Sequence, residues 1–507
     1  MEKIQIMRKL IVNIAVAAGV LVGMSSCEDF LDKVPTDSVV AESAMVTMAD
    51  AKVAVNGLYI DLKTTSMYAS NMVYFGDMRG DNIYPLKLSG TGHVIYTHNF
   101  APGQNHYFGM WQNYYNLIMK ASTYINNVNT IEAANPSEEA KKNDFLGQAY
   151  AVRALCYFDL ARLYGYPYLK DQGASLGAIV LDHDNDKAGI VSPEEAKTLK
   201  RGTVAETYAQ AMKDVEAALI VLSKEKNTGH FNYWAAKMLQ GKMALYKGDY
   251  QLAYSANAEV IENSPYNMVS NDEYLEYWGM QGHDETVLEF VVSPDGDLDS
   301  DGGSGSIYNS FWFGDRTAAR SVVLTKKWVE LFGDDYTAST DVRAQMIQEN
   351  DPSVSGINED QPFKWLKKFI GNKTYEKLTF RQNSPRVFRI TDAYLMAAEA
   401  ALQTGNQAKA DEYLNAVRQR ADLSAVPVAA TMDLVMLERH KEFIGEGHRF
   451  FDVMRTGGQI VRDMELDVRD YDGSPRKVID WNTYTIVLPI AENEFSVHPE
   501  IQQNPGY

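Results

Sequence analysis

Cysteine is almost missing from this sequence: among 507 residues there are 2, Cys27 and Cys156. A disulfide-stapled scaffold is thereby excluded, and the fold has to stand on a buried core. Long apolar runs are missing too. The stretch 10–22 is apolar but interrupted by Asn13, and it falls short of the roughly 20 residues that a membrane-spanning helix needs. Positive charge is scarce: 48 Lys and Arg stand against 67 Asp and Glu, a net charge of −19. Such a surface repels nucleic acid and anionic lipid, and no nucleic-acid partner is expected. No Pro-, Ser- or Gly-rich linker divides the chain into several domains. No G-x-S-x-G elbow, H-E-x-x-H helix, Walker loop or dinucleotide fingerprint occurs either, so the chain is not expected to be an enzyme.

What is present begins at the N-terminus. Lys3, Arg8 and Lys9 precede the apolar stretch, and small residues follow it up to Cys27; this is the layout of a secretory signal. Met24-Ser25-Ser26-Cys27 resembles a lipobox. Residues 1–26 are therefore expected to be a lipoprotein signal peptide, with Cys27 lipidated and its acyl chains giving a stable membrane anchor. Cys156 sits in Leu155-Cys156-Tyr157-Phe158 and reads as a small core residue rather than a nucleophile.

Apolar residues recur at helical spacing through 107–131, 143–165, 203–223, 232–246, 250–262, 391–404, 407–421 and 433–447. Between them, notably at 64–106, 165–202 and 264–385, Gly, Asn, Asp and aromatics predict long loops and short strands. Two helical pairs repeat each other. Gly241, Gly248-Asp249, Ala253 and Pro265 fall at the offsets of a tetratricopeptide-type helix-turn-helix unit, and Ala398, Gly405-Asn406 and Ala410 fall at the same offsets. Small residues let antiparallel helices approach closely, and Gly-Asp or Gly-Asn closes the turn between them. The stretch 143–165 reads as the first helix of another unit, with 203–223 as its partner. The expected fold is mainly α: a tetratricopeptide-like helical-repeat scaffold with long loop insertions and a few short strands. Insertions that collect on one side of such a scaffold commonly build a binding surface.

Four places in the chain then resemble one family. Cys27-Glu28-Asp29-Phe30-Leu31-Asp32-Lys33-Val34-Pro35 is similar to an acidic lipoprotein opening. Arg389-Ile390-Thr391-Asp392 running into Leu395 and Ala398-Glu399-Ala400 is similar to an "R-x-x-D-x-x-L-x-x-A-E-A" helix. Glu438-Arg439, Glu442-Phe443, Glu446-Gly447, Arg449, Asp452 and Arg455 resemble "E-R-x-x-E-F-x-x-E-G-x-R-x-x-D-L-x-R", and the close Leu488-Pro489-Ile490 with Asn504-Pro505-Gly506-Tyr507 resembles "L-x-P-I … N-P-G-Y". These are the marks of the SusD/RagB family, the lipoprotein partners of SusC-type TonB-dependent transporters. The resemblance implies a signal at 1–26 and a single SusD-like domain at 27–507, with repeat helices at about 107–262 and 390–447 and ligand-binding insertions at about 64–106 and 264–385. It implies a lipid-anchored protein on the outer-membrane surface that captures an oligo- or polysaccharide for a SusC-like transporter, with peptide as the alternative ligand. The charges of the "E-R-x-x-E-F" signature are expected to pair three and four residues apart along a helix surface, rather than to catalyse or, through His440 and His448, to bind metal.

Glycan recognition favours flat aromatic faces beside amides, carboxylates and Arg, and the chain has 30 Tyr and 7 Trp. The expected ligand-binding residues are Tyr68, Tyr74, Asp77, Arg79, Asp81, Asn82 and Tyr84 in one loop region, Trp278, Tyr308, Trp312 and Trp365 in the later insertion, and Arg389 at the start of its helix. Asp295, Asp297, Asp299 and Asp301 alternate like the start of a calcium loop, but position twelve from Asp297 is Tyr308, where an EF-hand loop needs Glu. A solvated acidic turn is the expectation and bound calcium the alternative; no other cofactor is expected. Two further classes compete with glycan capture. A surface glycoside hydrolase needs two carboxylates flanking the substrate, and a purely structural adaptor would bury its loop aromatics.

Overall fold

Helix starts are set by short polar side chains. In the computed structural model, which describes residues 45–85, 90–103, 109–181, 183, 189–292, 322–349, 363–371, 373, 383–462 and 478–507, the helices that build the body are α1 Met48–Leu62, α2 Thr91–Thr97, α3 Met110–Val128, α4 Pro136–Tyr164, α5 Val204–Val221, α6 Tyr233–Lys247, α7 Tyr250–Asn263, α8 Ile390–Gln403, α9 Gln407–Ala421, α10 Met432–Glu442, α11 Arg449–Arg455 and α12 Glu492–Val497. Asn135, Thr203, Asn232, Asp249, Asn406 and Thr431 accept from backbone N–H groups at the starts of α4, α5, α6, α7, α9 and α10.

The helices stack as neighbouring pairs. α4 packs on α3 and α5, α6 on α7, and α8 on both α7 and α9. The α6–α7 turn passes through Gly248 and the α8–α9 turn through Gly405, at φ 84° and 78°, a left-handed conformation that glycine adopts without a Cβ penalty. Close approach explains Gly241: a Cβ there would lie 2.5 Å from Asn257 Nδ2 on α7. Around α8, α9 and α10 the core is Leu395, Ala398, Ala401, Ala410, Leu414, Val417, Val435 and Phe443, small alanines set among larger side chains. Cys156 is buried in α4 as a free thiol, and among the described residues no helix is long and apolar enough to cross a membrane.

Strands are short and hold the insertions. β1 Ile83–Pro85 pairs antiparallel with β3 Val322–Leu324, β2 Thr286–Glu289 with β6 Arg386–Arg389, β4 Ile347–Gln348 with β5 Trp365–Leu366, and β7 Ile460–Val461 with β8 Val478–Ile479. The helix expected over 433–447 ends at Glu442. Gly445 and Gly447 both stand at φ 78°, so the chain turns there before α11 begins. Glu446 and Arg449 therefore do not share a helix surface with Glu438 and Glu442.

Candidate functional site

The signature charges, denied a common helix face, pair across the molecule. Arg389, at the N-terminal end of α8, donates from Nη1 to Glu285 (2.7 Å) and Glu442 (3.1 Å), and from Nε and Nη2 to both oxygens of Glu446 (2.8 Å each). Glu442 also receives Arg343 at 3.0 Å and Arg420 at 2.9 Å. Glu438 receives Arg343 at 2.7 Å, while Lys368 meets Glu446 at 2.7 Å. Arg439 joins Asp392 of α8 to Asp452 of α11, at 2.8 Å each, and Arg455 forks onto Glu399. Burial works against the charges of Glu442, Glu446, Asp392 and Asp452; the facing cations nevertheless hold Glu442, Asp392 and Asp452 well below the ordinary carboxylate range and lower Glu446 as well. Burial pushes Lys368 down to about 8, opposed by Glu446. The network ties 285, 343, 368 and 389, all from the later insertion and its edge, to α10 and the turn after it.

The expected ligand contacts largely belong to this interior. Trp278 is 2% exposed and Trp365 1%; Lys368 Nζ stands 4.2 Å over the Trp278 ring, with Arg389 5.1 Å away. Asp77 is fully buried and accepts from Gly447 N (2.9 Å) and Arg449 N (3.3 Å); burial raises its carboxyl to about 7, against those two bonds. Arg79 donates to the carbonyls of Thr485 and Ile486 and stacks on Phe450 at 3.7 Å, and burial lowers it to about 9. Asp81 is clamped by Arg449 and Lys327, each at 2.7 Å. Asn82 bonds His440, Tyr68 donates to Asp159 at 2.6 Å, and Tyr84 lies in β1 against Phe363. Tyr68, Asp77, Arg79, Asp81, Asn82, Tyr84, Trp278, Trp365 and Arg389, expected as ligand contacts, are thus interior residues rather than an exposed ligand face, because fastening insertions to a helical body calls for the same residue types as binding sugar. Tyr74 is half-buried. Cys27, Tyr308, Trp312 and the acids Asp295, Asp297, Asp299 and Asp301 lie outside the described residues. Among the described residues no group of three His, Cys, Asp or Glu is placed to hold a metal ion; His448 instead stacks on Phe443 at 4.5 Å.

Two features stand apart from this charge network. One is the strand cluster from which insertions depart. Pro85 faces Val322 in the β1–β3 register, Leu324 N donates to Lys364 O at 2.9 Å, and the Phe363 ring lies 6.5 Å from that of Tyr84. Pro85 and Val322, both buried, and the part-exposed Phe363 border 86–89, 293–321 and 350–362, which lie outside the described residues. The other is a cleft of ≈ 480 Å³. Trp111, Tyr115 and Met119 line it from one face of α3, Ile179 and Leu181 from the loop that follows α4, and Glu494, Val497 and His498 from the end of the chain. Tyr115 is fixed by bonds in both directions with Ile179, accepting from its N–H at 2.6 Å and donating to its carbonyl at 3.1 Å. Sequence reasoning missed this cleft, since its signal is only a helical i, i+4, i+8 row that also reads as core.

This architecture has known counterparts. A family model described as the SusD family matches residues 299–507, and one described as "Starch-binding associating with outer membrane" matches residues 29–245. SusD-like protein P25 of Formosa agariphila is 25% identical, over 98% of this chain and 99% of its own length. A crystal structure of a SusD superfamily protein from Bacteroides vulgatus superposes with a TM-score of 0.79 at 30% identity, covering 91% of this chain and 100% of that one. A laminarin-binding SusD-like protein has the same fold, with a TM-score of 0.71 at 21% identity over 91% of this chain and 100% of its own. Matched on both halves and along nearly its whole length, the chain belongs to the SusD family.

Proposed function

We propose that this is a cell-surface protein, held to the outer membrane by lipid on Cys27, that captures a glycan and delivers it to a SusC-like TonB-dependent transporter. The observation that carries the reading is the match of residues 29–245 to a family described by starch binding and outer-membrane association, in a chain whose fold it shares with a laminarin-binding protein. Residues 1–26 are the signal in this account and 27–507 one functional unit, its helices a rigid frame that acts over the transporter mouth as a lid. The ligand face is assigned to the insertions that the β1–β3 strand pair anchors through Pro85 and Val322. Tyr308 and Trp312, which precede Val322 in sequence, and Tyr74 are the aromatic residues proposed to contact the glycan.

Capture in this reading breaks no bond. Asp77 and Glu289, buried carboxyls held up by desolvation, have the character of a general acid but no exposed surface, so a glycosidic bond has no route to them. Affinity electrophoresis against a polysaccharide panel that includes starch and laminarin tests the proposal. Retardation by one polysaccharide, weakened by Trp312→Ala, is the expected result. No retardation by any of them, with binding of peptides instead, would replace glycan by peptide.

A further inference from the structure

We propose that the cleft between α3 and α12 is a second ligand site, separate in its residues from the glycan face, and that it takes a small amphipathic molecule: a flat apolar ring carrying a hydroxyl group. Its volume of ≈ 480 Å³ is that of a small-molecule pocket, whereas two other cavities, of ≈ 30 Å³ each, have room only for water. The walls are apolar and not covered by the described residues: Tyr115 and Met119 are half-buried and Val497 is 62% exposed. Such a surface gains by covering itself with another apolar face.

The polar groups give the ligand its second feature. His498 is 7% exposed, yet its Nε2 has no hydrogen-bond partner among the described residues. Glu494, one helical turn earlier, is half-buried and makes no side-chain hydrogen bond or ion pair with a described residue; burial raises its carboxyl above the ordinary range. A buried ring nitrogen without a partner is costly. One ligand hydroxyl serves both groups, because it can donate to the carboxylate and accept from the imidazole. A free sugar fits poorly, since hydroxyls around its whole rim would lose water against apolar walls without replacement.

The test is a fluorescence titration of the full chain with 2-naphthol, compared with 2-methoxynaphthalene, which keeps the ring but cannot donate, and with methyl β-glucopyranoside, which has hydroxyls but no aromatic body. We expect 2-naphthol to bind roughly tenfold more tightly than either comparator, the worth of one buried hydrogen bond. Glu494→Ala and His498→Phe should each remove that advantage while leaving 2-methoxynaphthalene binding and the melting temperature unchanged. Val497→Asp, on an exposed rim, should weaken both naphthalenes. None of the three should alter polysaccharide retardation, which reads the other face. Equal affinity for 2-naphthol and 2-methoxynaphthalene, no binding of 2-naphthol, or indifference to Glu494→Ala overturns the proposal.

Discussion

At the scale of single residues, the buried titratable groups give the chain a readable pH response. Burial raises Asp77 to about 7 from an ordinary 3.8, so between those values the folded state holds a proton that the unfolded chain does not. Its contribution therefore favours the fold at the acidic end and is lost as pH rises toward 7. Burial lowers His448 to about 3 from 6.5. Here the unfolded chain binds the extra proton, so the stability that neutral His448 contributes is full above 6.5 and is lost as pH falls. Each group should set about 1.4 kcal/mol of slope per pH unit, with opposite signs. Urea denaturation from pH 4.5 to 6.5 should show Asp77→Asn gaining stability with pH more steeply than wild type by that amount, and His448→Gln less steeply by the same; parallel lines would mean that neither group is buried as described. Neither shift was legible in the sequence. Asp77 and Arg79 sit in a Gly- and Asp-rich stretch that reads as a binding loop, and only partners such as Gly447 and Thr485, some 370 to 410 positions away, mark them as interior.

Elements are joined by charge and by close contact. Arg389 faces Glu285, Glu442 and Glu446 with 1% exposure, and Arg389→Met would leave three buried carboxylates short of a cation. A loss of about 3–5 kcal/mol is expected in chemical denaturation. Glycines give a sharper contrast. A Cβ on Gly76 would stand 1.9 Å from the Gly447 carbonyl oxygen, whereas one on Gly57, inside α1, would meet nothing within 4 Å. Gly76→Ala should therefore cost about 3 kcal/mol as backbone is forced apart, and Gly57→Ala should add about 0.5–1 kcal/mol through helix propensity; thermal melts of the pair check both signs. Much at this scale could be read ahead. Periodicity located α3 to α9 within a few residues, except that α4 begins earlier, at Pro136, because polar Ser137, Glu138 and Lys141 hide its first turns. The end of α10 was misplaced because glutamates and an arginine at helical spacing imitate a helix through Gly445 and Gly447, and glycine's left-handed turn there overrides them.

For the whole molecule, the family could be read from motifs spread between 27 and 507, and two of them, at 389–400 and 438–455, meet in the buried charge network. Ligand contacts are less legible, since a Trp or Tyr in an insertion looks alike whether it faces sugar or, like Trp278 and Trp365, the interior. What distinguishes them is what each side chain packs against, and that is set by pairings such as β1 with β3 across more than two hundred residues. The function proposed for this frame is to capture a glycan and leave it intact. The most direct measurement is calorimetric titration of the full chain with polysaccharides, run beside Trp312→Ala and followed by an assay for new reducing ends. The account predicts saturable binding of one polysaccharide, weakened at least tenfold by Trp312→Ala, with no reducing ends released; release of reducing ends by the wild-type chain, or heat changes indistinguishable from buffer with every polysaccharide, would contradict it.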